Sequence, residues 1–292
     1  VKSARTVVAA AIILLALTTA CHHRRPKGAA AETKVVPVST LYAKGMEYLK
    51  KKRPATARRY FDQVLMREDA GEYKDKAQIA EADSYTTEHT LEAYSEAISR
   101  YQSFLAFHPT HPEAPYCQYK IGSCYFEEIE TPDRDVTPAR DAREAFKSLI
   151  ENYPNCSYVA EAKQKIKDID NVLAAHEIKI GDWYLKVGHP KGAIGRYRYT
   201  IEHYPTYWNM PLVYYRLGEA LHRDGQDKEA VLYFKRITQE VPGTVLAKDS
   251  HKYMSKIEKH EARTSKRDKK IFEEPLVKST RKKTHWWQFW KW

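Results

Sequence analysis

Small, aromatic and proline positions recur along this chain in one frame: Ala, an aromatic four residues on, and Pro eight residues after that. The frame occurs four times, at Ala97-Tyr101-Pro109, Ala142-Phe146-Pro154, Ala193-Tyr197-Pro205 and Ala230-Phe234-Pro242. A fifth copy, Ala57-Phe61, keeps the first two landmarks and has Asp69 in place of Pro. A spacing of four puts Ala and the aromatic on one helical face. The small residue admits a second helix closely, the ring fills the space between neighbouring units, and Pro stops the helix. The preceding half of each unit agrees. Gly stands twelve residues before Ala, with a bulky residue three after it, at Gly45-Tyr48, Gly181-Tyr184 and Gly218-Leu221. Gly122-Tyr125 lies eight residues too early for Ala142, which predicts an insertion over about Glu130–Pro138. The second unit has Tyr85 where Gly is expected. The pattern predicts a helix–turn–helix unit repeated about five times.

A helix–turn–helix repeat of about 34 residues with these landmarks is a tetratricopeptide (TPR) unit. The expected fold is therefore all-α, a TPR-like α-solenoid over residues 39–262. Such stacks present extended surfaces to other proteins and need no catalytic centre. An additional helix is expected over Val159–Ala175, between the third and fourth units.

The ends read differently. Residues 1–20 combine Lys2 and Arg5 with an apolar run, Val7–Leu17, of eleven residues. That is about half of the roughly 20 needed to span a bilayer. Small residues and then Cys21 follow, as in a signal peptide that ends at a lipid-bearing cysteine. The alternative is an ordinary secretory signal with a chance cysteine. Residues 21–38 are polar and carry no helical stripe, so they read as a disordered tether. Residues 263–292 read as a basic, Trp-rich and disordered tail.

The net charge of +11 sits mostly on these ends: residues 1–38 carry +5 and residues 263–292 carry +7, which leaves the repeat region almost neutral. A nucleic-acid-binding domain would carry its basic face on the fold itself, so nucleic acid is not an expected partner. Cys117, Cys124 and Cys156 cannot all pair with one another and form no CxxC. Cys117 and Cys124 fall on one helical face and read as small core residues, with a disulfide to Cys156 as the alternative. No phosphate loop, HExxH, GxSxG or dinucleotide fingerprint is present. His108 and His111 flank Pro109 without a third ligand nearby in sequence, so neither a metal nor a cofactor is expected and no enzyme is implied. Asp133, Arg134 and Asp135 read as a local salt-bridged turn.

Several of these segments together resemble one family. FHPTHP at Phe107–Pro112 is followed by Tyr119, Gly122 and the Asp133-Arg134-Asp135 insertion, then by Ala145-Phe146 and NYPNCSY at Asn152–Tyr158. Glu177, Tyr184, Gly188, Ala193 and Tyr204-Pro205 complete the order. This is similar to the BamD family, the TPR lipoproteins of the β-barrel assembly machinery, over about residues 40–242. The resemblance implies a non-enzymatic adaptor carrying a covalent lipid on Cys21, at the periplasmic face of the outer membrane; His22 in place of Asp agrees with that membrane. It implies docking on the POTRA domains of a BamA-like barrel protein, contact with other assembly lipoproteins, and reception of unfolded outer membrane protein precursors. Another periplasmic TPR lipoprotein, acting in envelope constriction or peptidoglycan synthesis, is the competing reading.

Three sets of residues carry the expected contacts. Tyr42, Met46 and Leu49 share one helical face in the first unit. They form either a groove for the C-terminal segment of a precursor, where Met can adapt its shape, or a packing face for the next helix. By the resemblance, Arg196, nine residues before Pro205, faces a POTRA domain, where a planar guanidinium can grip a carboxylate with two hydrogen bonds. An exposed arginine without a partner is the alternative. Trp286, Trp287, Phe289, Trp290 and Trp292, behind Arg281-Lys282-Lys283, suit a membrane interface. Docking on a partner and capping the last repeats are the alternatives.

Overall fold

The computed structural model describes residues 36–273, with side chains through residue 269. Cys21 and the tail aromatics Trp286, Trp287, Phe289, Trp290 and Trp292 lie outside the described residues, as do the leader and most of the tether. Eleven α-helices run in order among the described residues: α1 (Val38–Lys50), α2 (Pro54–Leu65), α3 (Tyr73–Thr86), α4 (Leu91–Phe107), α5 (Ala114–Glu127), α6 (Thr137–Asn152), α7 (Val159–Lys186), α8 (Pro190–His203), α9 (Met210–Arg223), α10 (Asp227–Glu240) and α11 (Val245–Glu273). A short 3-10 turn, Glu68–Ala70, separates α2 from α3. Each helix packs on the one before it and the one after it, and the first helices of units also meet, α1 with α3 and α7 with α9. The result is the expected stack of five helix pairs, followed by α11.

The landmarks act as their spacing predicts. Ala57, Ala97, Ala142, Ala193 and Ala230 are fully buried, and so are Phe61, Tyr101, Phe146, Tyr197 and Phe234. The glycines are required by close approach. A Cβ at Gly181 would lie 2.5 Å from the Tyr197 ring, and one at Gly218 would lie 2.8 Å from Phe234. In the second unit Tyr85 occupies that place. The Arg58 guanidinium sits 4.1 Å from its ring centre and that of Arg100 5.2 Å, so in the second unit the ring makes cation–π contacts with two arginines.

Helix ends follow from single residues. A residue before Pro is driven out of the right-handed helical region. His108, Tyr153, Tyr204 and Val241, each before Pro, end their helices at φ between −132° and −129° with ψ of 53° to 57°. Met66, with no Pro behind it, stays right-handed, and the chain passes into the 3-10 turn. The turn inside three units is a left-handed cap. His189 N–H donates to the Tyr184 carbonyl at 2.9 Å, Gln226 to Leu221 at 2.8 Å and Arg53 to Tyr48 at 2.9 Å. Gly188 and Gly225 supply the positive φ of 80° and 79°, while Lys52 takes the same place at 54°.

Four expectations need correction. The helix expected over Val159–Ala175 is one continuous helix to Lys186, because nothing between Ala175 and Gly181 breaks it. Pro138 is inside the first turn of α6 rather than in the insertion loop; a missing N–H costs nothing there. The Asp133-Arg134-Asp135 turn is more than local: Asp133 pairs with Lys179 on α7 at 2.9 Å, and the Pro132 carbonyl meets His176 Nδ1 at 2.7 Å. The boundary drawn at residue 262 falls inside α11, whose last fully buried residue is Ile257. What changes near that boundary is burial, not helicity.

Cys117 and Cys124 are buried, Cys156 is partly exposed, and all three are free thiols. Burial pushes the Cys117 and Cys124 thiols up to about 12, which keeps them neutral and unreactive.

Candidate partner-binding surfaces

Tyr42, Met46 and Leu49 are half-buried on α1. Tyr42 meets Phe61 at 6.0 Å and Tyr73, at the start of α3, at 5.6 Å. All three side chains pack on the cluster built around Leu41, Phe61 and Val64. Leu49 also forms part of the wall of a cavity of about 540 Å³ between the first three units. The rest of that wall mixes apolar, polar and charged groups: Tyr94, Cys124 and His89 beside three lysines, Lys50, Lys52 and Lys120, and one carboxylate, Glu127. Two of these residues, Lys52 and His89, are the described non-glycine residues with positive φ, at 54° and 53°. The stripe therefore serves partly as core, and the opening lies at its Leu49 end.

Arg196 is not a free cation. Its Nη1 donates to Glu177 Oε2 on α7 at 2.9 Å; the Glu177 side chain is only 8% exposed, that of Arg196 43%. The second unit repeats the arrangement. Arg100 Nη1 lies 2.7 Å from Glu81 Oε1, again nineteen residues apart, and Arg100 also holds Glu96 at 2.9 Å. Burial raises the Glu81 carboxyl above its ordinary range against the pull of Arg100. The same two positions hold Leu41 and Tyr60, Gln118 and Ala145, and Tyr214 and Tyr233 in the other units. Arg196 thus first neutralises a buried carboxylate. A guanidinium has five donors, so its exposed edge still has hydrogen bonds to give.

The folded chain also joins groups that sequence distance hides. Asp83 accepts from Tyr101 at 2.5 Å and from Tyr116, across the next turn, at 2.7 Å. Burial first, and then Asp83, push both phenols far above their ordinary value. His108 and His111 stack around Phe104 and face Asp75 at 3.9 and 3.6 Å. Among the described residues no His, Cys, Asp and Glu cluster has the arrangement of a metal site. None of the described helices is long and apolar enough to cross a membrane.

The fold and these surfaces define a TPR-type helical-repeat scaffold with a cavity of mixed lining, three lysines among it, at its N-terminal end and a paired arginine in its fourth unit. The chain belongs to the outer membrane lipoprotein (YfiO) family, which it matches over residues 35–220, and a tetratricopeptide repeat family matches residues 212–244. It is similar to the outer membrane protein assembly factor BamD of Caulobacter vibrioides, at 32% identity over 66% of this chain and 63% of that protein. The protein of the same name from Rickettsia prowazekii is 27% identical over 72% of this chain and 82% of that one. A solved structure, the TPR2AB-domain:pHSP90-complex of yeast Sti1, aligns at a TM-score of 0.44 and 12% identity over 78% of this chain and 86% of that chain.

Proposed function

We propose that this protein is a non-enzymatic adaptor of outer membrane β-barrel assembly, held at the periplasmic face of the outer membrane by a lipid on Cys21. The observation that carries this reading is the family match over residues 35–220, which takes in the first four units and most of α9. The relatives' shared name, outer membrane protein assembly factor, supports the same role. Its partners would be the POTRA domains of a BamA-like barrel protein, other assembly lipoproteins and unfolded barrel precursors.

Two surfaces divide the work in this reading. The cavity beside Leu49, where Tyr94 and Cys124 sit among Lys50, Lys52 and Lys120 with Glu127 as the one carboxylate, suits an extended chain end that carries an aromatic side chain and a terminal carboxylate. The exposed edge of Arg196 suits a POTRA carboxylate, with Glu177 fixing the guanidinium plane from behind. Purification of the tagged protein from detergent-solubilised membranes tests the proposal. Co-isolation of a POTRA-containing barrel protein is the expected result. Isolation of cell-wall enzymes in its place would overturn it.

A further inference from the structure

The last helix carries a row of cations that, among the described residues, goes almost entirely without carboxylate partners. Lys248, Lys252, Lys256, Lys259, Arg263 and Lys266 follow one another along α11 at spacings of four, four, three, four and three, and all six are exposed. At about 100° per residue these spacings confine the row to an arc of roughly 80°. At about 1.5 Å per residue the row is ~27 Å long. Ala247, Ser250 and Ile257, which face the stack, fall on the opposite side of the helix. Among the described residues only Lys252 of the six has a carboxylate partner, Asp249 at 2.8 Å. Glu258, Glu261 and Asp268 occupy other faces of the helix. Beyond Ile257 the described residues through 269 are exposed, Thr264 partly so, and the helix leaves the stack behind. A helix that is polar all round and projects from its domain needs a partner or a network of internal pairs to explain it. The pairs beyond Ile257 reduce to Arg267 with Asp268 at 4.0 Å.

We infer that this row is a contact for an anionic membrane surface, along which α11 lies with its axis parallel to the bilayer. A straight row of charges on one side of a rigid rod meets a plane at every position. It meets a curved protein face at few. The row carries no large apolar side chain, so its attraction is that of cations for lipid headgroups rather than insertion. The sequence beyond α11 continues the same chemistry, with Arg281-Lys282-Lys283 and then four Trp and one Phe in the final seven residues. Aromatic residues of that kind favour the headgroup boundary. The row would place a second membrane contact far along the sequence from Cys21.

The test compares two full-length chains, both carrying Cys21→Ser so that no acyl chain contributes. In one, Lys252, Lys256, Lys259 and Arg263 are also changed to Gln. These side chains are exposed, so helix content and thermal midpoint are expected to be equal, which circular dichroism checks. Partition is measured onto phosphatidylglycerol-containing vesicles and onto phosphatidylcholine vesicles. The parent is expected to prefer the anionic vesicles, and the four-Gln chain to bind them at least about tenfold more weakly. The difference is expected to vanish in ~1 M salt, where screening shortens to about 3 Å. Equal binding by the two chains at low salt overturns the inference. So does a parent that ignores anionic vesicles while the four-Gln change releases an acidic protein from membrane pull-downs, which would make the row a protein dock. The assembly role is read out separately, by co-isolation of the barrel protein, so either proposal can fail alone.

Discussion

Arg196 and Glu177 form an ion pair at 2.9 Å that sets a buried carboxylate against a half-exposed guanidinium. The pair has an internal counterpart in Arg100 and Glu81, at the same sequence separation and the same place in the repeat. Removing the cation alone leaves Glu177 buried without compensation, the situation in which ion pairs cost most to break. The residue that suits a partner's carboxylate therefore also holds its own unit together.

The ion pair and the proposed contact separate by mutation. Arg196→Ala is expected to lower unfolding free energy by about 1–3 kcal/mol, less than for a fully buried pair because Arg196 is half in solvent. Arg196→Ala combined with Glu177→Gln is expected to recover most of that loss, measured by urea titration. Binding of the double variant to isolated POTRA domains then reports on the contact itself. A double variant that is stable and still binds as the parent does removes Arg196 from the interface.

Gly181→Ala places a methyl group 2.5 Å from the Tyr197 ring, and Tyr197 is fully buried. Overpacking of this kind costs about 1–3 kcal/mol. The midpoint of unfolding is expected to fall accordingly. Gly195→Ala, on the next helix, is the control, since its added Cβ meets nothing within 4 Å. An equal fall at both glycines would mean that the ring contact does not set the requirement at Gly181.

Lys52 holds a φ of 54° where Gly188 and Gly225 stand in sister units. Lys52→Gly is expected to relieve the left-handed strain and stabilise the protein by about 0.5–1 kcal/mol. The same change removes one cation from the cavity wall. Binding of a barrel-derived C-terminal peptide, followed by fluorescence anisotropy, is therefore expected to weaken while the thermal midpoint rises. A gain in both would show that the lysine has no part in the site.

Glu81 has its carboxyl raised above the ordinary value of 4.5, chiefly by burial, with Arg100 pulling the other way. A group whose folded value is raised favours the protonated form. Its contribution to stability is present below the unfolded value and is lost as pH rises through the folded value. Glu81→Gln is therefore expected to flatten the stability–pH curve just above 4.5. Chemical denaturation across the acid range measures this. A variant curve parallel to that of the parent would assign the acid dependence to other carboxylates.

The sequence by itself determined the architecture, because each landmark acts locally. Pro109, Pro154, Pro205 and Pro242 end their helices through the residue just before them, whatever lies across the fold. Buried Ala and aromatic pairs four apart mark the inner face of a helix for the same short-range reason. The resemblance carried by FHPTHP and the RD insertion agrees with the family that the chain matches. Tertiary structure alone decided which charges meet. Glu177 reaches Arg196, Asp133 reaches Lys179, and Asp75 reaches His108 and His111, all across helices whose separation in sequence gives no sign of contact. The repeat at nineteen residues of a Glu and an Arg was visible in the chain, but only packing shows that the Glu is buried and so requires its partner. How far Tyr42, Met46 and Leu49 are covered was decided in the same way. A helical stripe states which residues share a face, and only the neighbouring helix decides how much of that face it covers.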